Sequence, residues 1–152
     1  MDGALVFGSS ISSAELRRHA ASRRHDTVVT ALADAPSLAR ICTEMRERWE
    51  IDVTLRRETI FFEARDLDTC LIRQTAGTHI ERRMTGADDA AAARALAMNL
   101  TLCRQGFAFG VRRGVLVLHR YVAPWESFET CMTAVREFFV VSERIKRAVM
   151  AI

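Results

Sequence analysis

Much of what a catalyst or a membrane protein needs is missing from this sequence. No apolar run approaches the roughly 20 residues required to cross a bilayer as a helix, which excludes a helical span. No C-x-x-C pair occurs, and no histidine stands at metal-ligand spacing from Cys42, Cys70, Cys103 or Cys131. The four cysteines therefore read as reduced, core-lining thiols, which points to the cytoplasm. There is no G-x-S-x-G elbow to expose a nucleophile. "GVRRG" lacks the lysine and the following helix of a phosphate loop. Asp66 and Asp68 lack the third acidic ligand, the glycine and the distal glutamate of a calcium loop, so they read as turn-forming residues. His19 and His25 fall on different sides of a helix, and His79 and His119 fall in strands; all four read as solvated or structural. No catalytic residue, metal ligand or cofactor is expected.

Lysine is almost absent: Lys146 is the sole one among 22 basic residues. The net charge of +3 is spread over arginine doublets, such as Arg56-Arg57 and Arg112-Arg113, with acidic residues close by and no interleaved aromatics. A nucleic-acid footprint is a clustered patch or stripe with stacking platforms. The composition argues against one.

What is present is a regular alternation of amphipathic elements. Residues 1–35 read as an N-terminal extension, partly helical or mobile, and the short apolar piece at 4–7 has no basic region before it to make a secretory signal. From residue 36 onward one domain is expected. Leu38, Ile41, Cys42, Met45 and Trp49 recur on one helical face, with Pro36 placed for the first turn and a Glu44–Arg48 pair on the opposite side. Ile51, Val53 and Leu55 alternate with polar residues, and "TIFFEAR", "TCLIRQT" and "THIERRM" then read as a three-strand meander with a tight turn at Ala76-Gly77. The last of these strands alternates His79, Glu81 and Arg83 with Ile80, Arg82 and Met84, which predicts an edge strand or one that covers little core.

A slim, alanine-rich helix follows. Asp88 and Asp89 suit its N-terminus and Gly106 its exit, while Leu96, Leu100 and Cys103 form its apolar ridge. "GFAFGVRRGVLVLH" reads as a hairpin, with Phe107, Phe109 and Val111 on one face of its first strand and Ala108 and Gly110 on the other. A long final helix closes the core with Phe128, Cys131, Met132, Val135, Phe138, Phe139 and Ile145 in one stripe. The predicted class is α+β, an antiparallel sheet covered by helices in the order α-β-β-β-α-β-β-α.

"LAMNLTLCRQGFAFGVRRGVLVLHRYV" followed by "ESFETCMTAVREFFVVSERIKRAV" resembles the C-terminal half of class I type III secretion chaperones, the Tir-chaperone-like family. Asn99, Leu100, Gly106, Phe109, Leu116, Leu118, Phe138 and Glu143 stand at matching places. The resemblance implies a non-enzymatic, cytoplasmic bacterial homodimer that binds the N-terminal chaperone-binding segment of an effector and keeps it secretion-competent. The secretion-apparatus ATPase is a further candidate partner. By the same resemblance, Ala92, Leu96, Leu100, Ala108 and Gly110 are expected at the dimer interface, and Leu38, Ile41, Met45, Phe61 and Leu71 in the effector grooves. The competing expectation is a non-enzymatic adaptor or regulatory domain of similar build.

Overall fold

A computed structural model describes residues 36–151. The predicted N-terminal extension lies outside the described residues. The chain runs α1 (Leu38–Arg48), β1 (Thr54–Arg56), β2 (Thr59–Glu63), β3 (Thr69–Thr75), β4 (Gly77–Met84), α2 (Asp89–Leu102), a 3-10 turn (Cys103–Gln105), β5 (Phe107–Arg112), β6 (Val115–Val122) and α3 (Phe128–Met150). The fold is α+β, with six antiparallel strands in the order β1-β2-β3-β4-β6-β5. The short β1 precedes the anticipated meander, formed where Leu55 pairs with Ile60 at the tight Arg57-Glu58 turn.

Local chemistry explains the element ends. Ser37 caps α1 by accepting from the Arg40 amide, so Pro36 sits one residue before the cap rather than in the first turn. Asp88 caps α2 through the Ala91 amide at 2.8 Å, and Ser127 caps α3 through that of Thr130. Gly106 leaves the 3-10 turn in the left-handed region, at φ 80°, which an L side chain rarely adopts. Gly77 turns β3 into β4 at φ 125°, and a Cβ there would collide with the Tyr121 ring, whose hydroxyl donates to the Ala76 carbonyl at 2.6 Å. Two independent constraints thus hold glycine at that position.

The helices share one side of the sheet. Ile60, Ile72 and Ile80 lie in register across β2, β3 and β4, and they belong to one buried cluster with Ile41 and Met45 of α1, Ala91 and Ala95 of α2, and Val135 and Phe138 of α3. Phe62 and Phe139 meet at 4.8 Å between ring centroids, and Trp49 stands edge-on to Phe139 at 6.1 Å, joining α1 to α3. Cys42, Cys70 and Cys131 are buried free thiols, whereas Cys103 is exposed in the 3-10 turn and not in the core. Burial pushes the Cys70 thiol up to about 12, which leaves it protonated and inert.

The edge-strand expectation for the strand containing His79 and Glu81 is overturned. β4 lies between β3 and β6 in the middle of the sheet, and Glu81 and Arg82 are both 1% exposed. Its polar alternation misleads because the charges are matched by residues far away in sequence.

Candidate functional site

The two faces of β4 each hold a buried charge cluster. On the helix side, Arg82 extends into the core between Cys70 and Leu118, its register neighbours. Its Nε donates to Asp68 at 2.9 Å, one Nη reaches both oxygens of Asp66 at 2.9 Å, and the other reaches Ser142 at 3.1 Å and Glu143 at 3.0 Å. Lys146 bridges Asp66 and Asp68 from α3, at 2.7 Å to the latter. Asp68 is fully buried and also accepts from the Thr85 amide at 2.9 Å and from the Thr85 hydroxyl.

Burial drives the Asp68 carboxyl upward, but hydrogen bonds from Lys146, Thr85 and Arg82 outweigh it and hold the group below the usual carboxylate range. Asp66 is lowered against its own desolvation by Lys146 and Arg82, and Lys146 is raised despite burial by the two aspartates. The network stitches the β2–β3 turn, the central strand and α3 into one unit. The two aspartates are therefore more than the turn residues expected. With every charge paired inside the molecule, the cluster reads as a structural clamp.

On the other side of the sheet, Glu81 accepts from Arg73 at 2.9 Å and from Arg112 at 3.1 Å, and the rings of His79 and His119 share a hydrogen bond of 3.0 Å. Burial lowers both histidines, helped by the charge of Arg73 at His79 and, at His119, by the neighbouring imidazole and the arginines. Both stay neutral at pH 7 as a result. Among the described residues no group of three His, Cys, Asp or Glu is placed to hold a metal ion.

The two ends of the sheet differ. At the β5 end the Asn99 side chain of α2 grips the main chain of Phe109, its Oδ1 accepting from the amide at 2.6 Å and its Nδ2 donating to the carbonyl at 2.9 Å. This side chain stands in for the next strand. Replacing Asn99 by alanine strands a donor and an acceptor beside the buried Phe109, and it should cost about 1–3 kcal/mol in urea unfolding. A loss well under 1 kcal/mol would mean that water replaces the clamp. At the opposite end β1 has no strand paired on its outer side among the described residues. An open groove of about 1050 Å³ lies there, lined by Ile51, Thr54, Arg56 and Phe61 among others.

The anticipated interface residues are divided in position. Leu96 is 46% and Leu100 86% exposed along one side of α2, while Ala92 is half-buried against the core. Ala108 and Gly110 lie on β5, on the face away from the helices. Of the expected effector-contacting residues, Phe61 borders the groove and is half-buried. Ile41 and Met45 have no exposed surface, Leu71 is 4% exposed, and Leu38 packs against the core. The three α1 side chains serve packing, since helical periodicity marks a buried face without saying whether the cover is the chain's own sheet or another molecule; Leu71 stands across from Glu81 on the sheet face away from the helices. The Arg82 clamp and the Arg73–Glu81–Arg112 group were missed. Their only signal in the sequence is charge on both faces of a strand flanked by apolar runs.

No family model matches the chain, and no curated protein is significantly similar to it in sequence.

Proposed function

We propose that the chain is a homodimeric chaperone of the class I type III secretion kind, which holds the N-terminal segment of an effector in extended, secretion-competent form in the bacterial cytoplasm. The observation that carries this reading is the outer side of α2. Leu96 and Leu100, one turn apart, face solvent among the exposed alanines Ala93 and Ala97, and Val111 on the neighbouring strand is 55% exposed. A helix that is apolar nearly all round belongs in an interior. Pairing two copies across a two-fold axis supplies one, and small residues let the helices approach closely.

The sheet edges favour a client site at the β1 end, because strand addition needs free main-chain groups and side-chain pockets. Asn99 occupies the β5 edge at Phe109, whereas β1 is unpaired on its outer side among the described residues and borders the Phe61 groove. Light scattering at micromolar concentration should give twice the 17.1 kDa of the chain; a monomer there removes the reading. The N-terminal segment of an effector encoded beside this chain should co-purify with it, and Phe61→Ser should lower the yield of complex about tenfold, the loss expected for roughly 1.4 kcal/mol of apolar contact. Equal recovery with the variant would move the client site elsewhere.

A further inference from the structure

The cluster on the sheet face opposite the helices has the parts of a ligand site. Glu81 is 1% exposed, and each of its carboxylate oxygens is taken by one arginine, Arg73 from β3 and Arg112 from the end of β5. His79 and His119 stand beside them on β4 and β6, with His79 Nε2 also 2.9 Å from the Thr75 hydroxyl. A pocket of about 360 Å³ opens over these groups, walled by Val117 and Gly110. That is room for one small molecule or one side chain.

Three observations point to an occupant. The first is charge: two guanidinium groups face a single carboxylate, and with the imidazoles neutral the pocket keeps one positive charge in excess. The second is orientation. Glu81 holds one Nη of each guanidinium, which leaves other donors of both groups for a planar oxyanion. Arg73 Nε is buried without a hydrogen-bond partner, the only such side-chain atom among the described residues, and a turn of the guanidinium toward the pocket would gain it an acceptor. The third is space: a Cβ built at Gly110 meets nothing within 4 Å, so glycine there leaves the pocket unfilled.

We propose that this pocket binds a carboxylate, gripped by Arg73 and Arg112 over the buried Glu81, with His79 and His119 as further hydrogen-bonding groups. A monoanion matches the single excess charge, whereas a phosphate dianion would leave the pocket negative. A free small acid and the glutamate side chain of a bound peptide present the same group. The site is built from one chain and does not rest on the chaperone reading.

The test is titration of the full chain at pH 7.5 and constant ionic strength, following the imidazole resonances of His79 and His119 by NMR. The probes are acetate, inorganic phosphate, and the blocked tripeptides Ala-Glu-Ala and Ala-Gln-Ala. Saturable shifts with acetate and Ala-Glu-Ala, at least tenfold weaker with Ala-Gln-Ala, are expected. A tripeptide affinity tenfold above that of acetate assigns the carboxylate to a peptide, and equal affinities assign it to a small acid. Arg112→Gln should weaken binding at least tenfold. Gly110→Leu, which keeps every charge and meets no neighbour at its Cβ, should block it, and Glu81→Gln, which removes the competing carboxylate, should tighten it. Shifts that do not saturate, phosphate binding tighter than acetate, or a Gly110→Leu variant that binds as the native chain does would each overturn the proposal.

Discussion

Asp68→Ala is expected to lower the unfolding free energy by about 3–5 kcal/mol, because it removes the carboxylate from a guanidinium that has no water to turn to. Arg82 is 1% exposed and Asp68 not at all, so the loss is that of a buried acceptor shared by Arg82 Nε, Lys146 and the Thr85 amide rather than of a surface ion pair. Asp66, Glu143 and Ser142 still hold the other Arg82 nitrogens, which places the effect within that range and not above it. The double change Asp68→Leu with Arg82→Met should be milder than either single change, since it removes the two most buried charges together and leaves Asp66 and Glu143, each over a third exposed, to water and Lys146. Urea midpoints of the three variants test this; equal losses for single and double changes would show that the cluster acts through volume alone.

The same pair sets an acid limit. Both aspartates titrate below the ordinary value of 3.8 in the folded chain, so just below that value the unfolded chain binds more protons than the folded one. Their contribution to stability is complete above pH 3.8 and is lost as pH falls through the lowered folded values. Asp68→Asn should flatten the acid limb of the stability curve, and an unchanged limb would assign acid unfolding to other carboxylates.

Leu100→Asp combined with Leu96→Asp is expected to turn the proposed dimer into a folded monomer. Neither side chain supports the core in a single chain: α2 is anchored by Ala91, Ala95 and Leu102, by the Asn99 clamp and by Arg94, which donates to the Val149 carbonyl at 2.8 Å. Across a two-fold axis each change counts twice. Burying a leucine is worth roughly 1.5–3 kcal/mol, so losing even one contact per chain weakens association by about 3–6 kcal/mol, on the order of a hundredfold to ten-thousandfold. Sedimentation at micromolar concentration should show one species of monomer mass with the helical content of the native chain. A variant that remains dimeric would place the interface away from α2.

Most of the secondary structure was legible because its causes are local. The apolar spacing of α1 and α3, the Asp88 cap and the left-handed exit at Gly106 depend on residues within a few positions of one another. The exposed tip of the hairpin at Arg113-Gly114 belongs to the same group. The surroundings of β4 were not legible in this way. An alternation of His79, Glu81 and Arg83 normally marks a wetted face, and nothing nearby signals that Arg112, 31 residues later, or Lys146, 78 residues after Asp68, will arrive to neutralise buried charge.

The sequence by itself determined the three helices, five of the six described strands, and that these elements assemble as α+β, because backbone conformation and amphipathic period are properties of neighbouring residues. Only the tertiary structure decided that β6 inserts between β4 and β5. That one placement makes β4 central, brings His119 against His79, and sets a carboxylate and a guanidinium where water is excluded. Pairing order depends on contacts between residues far apart in sequence, and no local pattern encodes it.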